Sequence, residues 1–168
     1  MVAPFFIGKD VINLIKQYIN MKTIFDKITR DELIDRINSL NGDNKAEWGK
    51  MNAYQMVKHC AVYENMMLGK VPFKRMFLGY IFGTMALKSL IKDEAPLKRN
   101  TPTVPSFIIK DTTGDISAEK KNWIALIEQY GLCTDYEVIH PFFGKINKEQ
   151  IGYLVFKHTD HHLRQFNG

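Results

Sequence analysis

The chain has 168 residues, 45% of them apolar and 24% charged, a balance that fits one globular domain and excludes disordered, fibrous and collagen-like classes. The formal net charge is +5, but the lysines are mixed with acids, as at Lys45/Glu47 and Glu119/Lys120/Lys121, and no basic run interleaved with aromatics marks a nucleic-acid surface. Cys60 and Cys133 form no spaced pair, which gives no disulfide framework and suits a reducing, cytoplasmic location.

Residues 1–20 begin apolar, but Lys9 and Asp10 interrupt them before a signal-peptide core can form. They read as an N-terminal extension outside the domain or as an over-called start ahead of Met21, and an orderly domain is predicted over residues 21–168. Thr29-Arg30-Asp31-Glu32 is a capping-box pattern followed by Leu33, Ile34, Ile37 and Leu40 at helical spacing, so a first helix is predicted to end near Gly42. Trp48 and Gly49 fall in a short connector. Asn52 to Gln55 repeats the capping box and opens a second helix, with Gly69 as its stop.

After Pro72, the stretch from Phe73 to Ile91 reads as a third helix. Gly79 and Gly83 lie inside it, each costing about 1 kcal/mol in a helix interior, and predict close packing or a bend. Its uncharged part, Met76 to Leu87, is shorter than the roughly 18 apolar residues of a membrane span. Lys74, Arg75, Lys88 and Lys92 flank that part, a pattern shared with helices that lie in a lipid interface. The reading adopted is a bundle helix with its apolar face in the core, and no membrane partner.

Pro96, Pro102 and Pro105 make residues 92–116 irregular, with a brief extended piece at Phe107 to Ile109. Ser117 is the predicted cap of a fourth helix running to Gly131, with Trp123, Ile124, Ile127 and Tyr130 as its apolar face. A connector containing His140-Pro141-Phe142-Phe143-Gly144-Lys145 leads to a third capping box, Asn147 to Gln150, and a last helix reaching about Phe166. Strand signals are nearly absent. Four or five amphipathic helices and one long loop predict an all-α, up-and-down bundle.

Of five histidines, three fall in the last eleven residues: His158, His161 and His162. Residues four apart share one helix face, so His158 and His162 point the same way, in line with Val155 and Ile151 on the core side. Two imidazoles on an apolar face need a partner, and a metal ion serves several at once. A third ligand would come from another helix, and His59 is the natural candidate. Three neutral imidazoles suit zinc, nickel, copper or ferrous iron better than magnesium or calcium, and leave a position for water or substrate. The plainer alternative is histidines that serve packing. His161, about 100° around the helix from His162, reads as a rim or orienting residue.

The string Phe156-Lys157-His158-Thr159-Asp160-His161-His162-Leu163-Arg164-Gln165-Phe166, with the 140–145 segment and the stretch from Trp48 to Cys60, resembles the DinB-like superfamily, and in particular an uncharacterised branch ending in a His-x-x-His-His-Leu-Arg-Gln-Phe motif. The resemblance covers roughly residues 21–168. It implies a four-helix bundle, here with an extra helix or long loop insertion, and a divalent metal held by His59, His158 and His162. It places Gln165 behind the ligands or at a helix contact. Related proteins include thiol-dependent transferases and isomerases.

The expected activity is therefore metal-dependent hydrolysis or transfer of a low-molecular-weight thiol, acting on a small molecule. The alternative is a non-catalytic binding or structural bundle. Glu64, five residues after His59, points elsewhere on its helix, so His140 is the one outside candidate for proton transfer, against a simpler loop-anchoring part. Homodimers are common among small bundles, and no residue pattern selects or rejects one.

Overall fold

The computed structural model describes residues 21–135 and 137–168; the extension read at residues 1–20 lies outside the described residues. Five helices make up half of the domain: α1 (Lys27–Ser39), α2 (Ala53–Met67), α3 (Phe77–Leu90), α4 (Ile116–Gln129) and α5 (Lys148–Gln165). Single 3-10 turns occur at Pro105–Phe107 and Tyr130–Leu132. Helices α1, α2, α4 and α5 pack on one another as a four-helix bundle, and α3 is the extra element, inserted with the loop that follows it.

The local chemistry explains most helix boundaries. Asn52 and Asn147 each close a full capping box, with Gln55 and Gln150 returning the bond to the cap backbone. The first helix starts earlier than its Thr29 pattern suggests. Asp26 caps it, accepting from the backbone N–H and the hydroxyl of Thr29, both at 3.0 Å, and Thr29 is buried. A carboxylate one turn upstream outcompetes a hydroxyl that the core needs. Likewise Asp115, not Ser117, caps α4 by accepting from Ala118 N–H at 3.0 Å. Helix α1 ends at Ser39, short of Gly42, and Phe107 belongs to a 3-10 turn rather than an extended piece.

Two features depart further from expectation. Residues 138–146 form an antiparallel hairpin, β1 (Val138–His140) and β2 (Gly144–Ile146), with His140 paired to Gly144. Three-residue strands give too little alternation to be legible as strands. Helix α3 also does not turn its apolar face inward. Only Gly79, Gly83 and Leu87 are buried, while Phe77, Leu78, Tyr80, Ile81, Phe82 and Met85 are exposed. The glycines explain the seating: a Cβ at Gly79 or Gly83 would stand 2.4 or 2.2 Å from the carbonyl oxygen of Phe142. The helix rests on the hairpin turn through its bare backbone. Its C-terminal end is tied to α5 by Lys157, whose ammonium donates to the carbonyls of Leu90 (2.6 Å) and Asp93 (2.8 Å).

The bundle core contains Leu33, Ile37, Met56, Met67, Trp123, Ile127, Ile151 and Leu163. It also encloses one carboxyl group. Glu64 is fully buried between α2, α4 and α5, where the Tyr130 hydroxyl donates to it at 2.6 Å and Thr159 lies at 3.2 Å. Burial pushes its pKa up from 4.5 to about 7, the hydrogen bonds opposing that shift only in part. A raised carboxyl pKa favours the folded state while the proton is held. That contribution is complete below pH 4.5 and is lost as pH rises through 7.

Glu64→Gln keeps an acceptor for Tyr130 and a donor for Thr159 without the ionisation. It is expected to be more stable than wild type at pH 8, by on the order of 3 kcal/mol, and nearly equal to it at pH 4.5. Urea unfolding of both proteins across this range checks it, since the histidine contributions are common to the pair and cancel in the difference.

Candidate metal centre

His59 lies mid-way along α2 on the face turned to α5, and His158 and His162 lie one turn apart on the facing side of α5. The bundle brings them together. One ring nitrogen from each lies within 4.8 Å of the other two, and the Nε2 atoms of His59 and His158 are 3.3 Å apart. His59 and His162 are buried, and His158 is half-buried beneath Tyr63, whose ring stacks on it at 3.7 Å between centroids.

Two of the three tautomers are fixed by carbonyl-type acceptors. His59 Nδ1 donates to the backbone carbonyl of Phe107 at 2.9 Å, which leaves its Nε2 with a free lone pair. That carbonyl comes from the 3-10 turn of the irregular loop. Further bonds hold this loop along α2: Gln55 Nε2 donates to Ile109 O, Asn52 Nδ2 to Thr112 O, and Lys58 pairs with Asp111. His162 Nδ1 donates to Gln165 Oε1 at 2.8 Å, and Gln165 Nε2 donates in turn to the carbonyl of Trp48 at 2.5 Å. A backbone carbonyl only accepts, so it sets the orientation of the amide. The amide sets the proton on His162 Nδ1 and frees Nε2.

His158 is different, because its Nδ1 is buried with no hydrogen-bond partner. A proton on Nε2 would let it donate to His59 but strand a lone pair at Nδ1. A proton on Nδ1 would strand a buried N–H and leave two lone pairs facing across 3.3 Å. The rings cannot satisfy one another. A cation among them would accept the converging lone pairs together, so the donor set fits a divalent transition metal.

Electrostatics favours the same state. Burial lowers the pKa of His59 and, with the neighbouring imidazoles, takes His158 well below its usual range. His162 is pushed down to about 3, again mainly by burial and then by His59. All three rings are therefore neutral at pH 7, the form that ligates metals.

The remaining histidines sit outside the cluster. His140 Nδ1 accepts from the backbone N–H groups of Phe142 (3.1 Å) and Phe143 (3.2 Å), tying the hairpin turn, and its ring stacks on Phe143. Burial pushes its pKa down to about 4. His161 packs between Trp48 and His162, with ring centroids 5.5 and 5.1 Å away. It lines a cleft of about 470 Å3 with Trp48, Arg99 and Arg164, where the Arg99 guanidinium lies 4.2 Å over the Trp48 ring. Nothing in the sequence marked the carbonyls of Phe107 and Trp48, since backbone atoms carry no residue signature. The stack of Tyr63 on His158 followed only from knowing which helices face each other.

Fold and site together define an all-helical bundle domain with a clustered histidine triad between two of its helices. Residues 22–168 match the profile of the family described as Protein of unknown function (DUF1569), and the chain belongs to that family. No curated protein and no solved structure matches the chain.

In the metal-free protein, the imidazoles of His59 and His162 are expected to carry their protons on Nδ1, and His162, pushed down to about 3, to stay neutral at pH 6. Long-range proton–nitrogen NMR reads both properties. Gln165→Leu is expected to return His162 to a tautomer mixture while leaving His59 unchanged.

Proposed function

We propose that the protein is a DinB-like metalloprotein in which His59, His158 and His162 hold one divalent transition metal ion, zinc, nickel or iron, for chemistry on a small molecule. The observation that carries this reading is the convergence of three neutral imidazoles, two with their free nitrogens aimed inward by Phe107 and Gln165. A bound ion would supply Lewis acidity, the property that makes water or a thiol nucleophilic at neutral pH. Hydrolysis and transfer of a low-molecular-weight thiol both draw on that property.

The protein's own residues have defined parts in this scheme. Phe107 O and the Gln165 amide orient two ligands, and Tyr63 covers the third. The cleft beside His161 is lined by Trp48, Glu47, Arg99 and Arg164 and by none of the three triad histidines, so His161 is the residue that stands between it and the triad. His140 is left out of the proposed chemistry. Its Nδ1 lone pair already serves the hairpin turn, so it is not available there as a base. The burial of His59 and His162 favours a second reading, in which the ion only ties α2 to α5. The two readings differ in whether an added thiol alters the visible spectrum of the cobalt-substituted protein; an unchanged spectrum selects the structural role.

Protein purified without a histidine tag is expected to carry near-stoichiometric metal by plasma mass spectrometry, and His158→Ala/His162→Ala to carry none while keeping its helical circular dichroism. A folded wild type that neither contains metal nor takes up added zinc, nickel or iron would overturn the proposal. Gln165→Leu is expected to weaken uptake by about 10–100-fold in competition with a chromophoric chelator.

A further inference from the structure

Among the described residues, nothing covers a large apolar surface of helix α3. Advancing 100° per residue, the helix puts Gly79, Gly83 and Leu87 on one side and Phe77, Ile81 and Met85 on the other, with Leu78, Tyr80 and Phe82 at the flanks. All six of these apolar and aromatic side chains are exposed, from 47% at Phe82 to 77% at Phe77. A domain of this size seldom presents such a continuous apolar face unless something covers it. The buried side shows that the outward placement is built in. Side chains at 79 and 83 would collide with the Phe142 carbonyl, so the helix cannot turn its apolar face to the hairpin without losing its seat.

Charge indicates what covers the face. Between Asn65 and Lys92 the sequence has no acidic residue and five basic ones: Lys70, Lys74, Arg75, Lys88 and Lys92. Lys70, Lys74, Lys88 and Lys92 are exposed. The first three form no ion pair among the described residues, and Lys92 only a long one, at 3.9 Å, to its neighbour Asp93. Lys88 follows Ile81 and Met85 on the outward side, where its apolar stem can lie along them while the ammonium reaches outward. Arg75 stacks over Tyr80, leaving an aromatic–cation pair at the edge of the patch. A second copy of the chain suits this surface poorly. A two-fold contact would bring the lysines against their own equivalents with no acid in the segment to offset them. An anionic lipid surface meets both requirements: headgroups for the basic rim and acyl chains for the apolar centre. Among the described residues no helix is long and apolar enough to cross a membrane, so the contact is peripheral.

We propose that α3 is an interfacial helix that seats Phe77, Ile81 and Met85 in the surface of an anionic bilayer, with Lys74 and Lys88 on the headgroups. The inference is independent of the metal reading, because it uses none of the triad residues.

The full chain is expected to co-float with phosphatidylcholine vesicles containing phosphatidylserine, to float far less with phosphatidylcholine alone, and to be released by salt. Ile81→Glu/Met85→Glu changes only outward side chains, so it is expected to keep the wild-type circular dichroism and metal content while losing about tenfold or more of the vesicle-bound fraction. Lys74→Glu/Lys88→Glu is expected to lose the preference for phosphatidylserine. Absence of flotation with anionic vesicles at low salt would overturn the proposal, as would flotation unaffected by the Ile81/Met85 change. A concentration-dependent dimer in sedimentation that this change disperses would also overturn it, assigning the face to a second copy.

Discussion

Three uncharged imidazoles in a space a few ångströms across form a demanding arrangement for a protein interior. Each ring brings a donor and an acceptor that water no longer satisfies, and identical groups cannot satisfy one another all round. The design around the triad follows from that constraint. One N–H is directed to the Phe107 carbonyl and one to the Gln165 amide. The irregular loop is held along α2, so that its 3-10 turn presents a carbonyl at the required place. The connector before α2 presents another, at Trp48, for the amide itself. Segments that contribute no ligand thereby decide where the ligand lone pairs point.

The same bundle carries a second buried polar site of opposite character. Glu64 is enclosed with Tyr130 and Thr159, and burial pushes its pKa up to about 7. Thr159 follows His158 directly in the chain, so neighbouring residues of α5 point into two separate polar clusters. Lys157, just before His158, clamps the end of α3. Three consecutive positions of one helix thus link the triad, the core carboxyl and the appended helix, which makes α5 the element on which the others are registered.

Much of this was readable from the residues, and the unreadable part has a common cause. The boxes at Asn52/Gln55 and Asn147/Gln150 are local, four-residue chemistry, and both formed as written. The spacing of His158 and His162 placed them on one face, and the triad formed with His59. The caps at Asp26 and Asp115 went to neighbours of the residues expected because two suitable side chains stood within a turn, and burial of Thr29 decided one case. The hairpin was hidden by strands too short to show a period. The apolar run of helix α3 predicts a core helix because hydrophobicity reports that a face must be covered, not by what; in the structure that face points outward. Gly79 and Gly83 predict close packing or a bend, and close packing is what they provide, against the Phe142 backbone.

Gly49 shows how far such an arrangement extends along the chain. Its backbone adopts φ +85°, and a Cβ there would stand 2.6 Å from Gln165 Nε2. Any side chain at this position is thus opposed twice, by the backbone conformation it would have to adopt and by the amide it would displace. That amide is the group that decides which nitrogen of His162 bears hydrogen. The protonation pattern of an imidazole in the last helix is thereby inscribed in a residue near the start of the domain, and inscribed there as a blank: the missing methyl group leaves the space in which the amide turns the right way round.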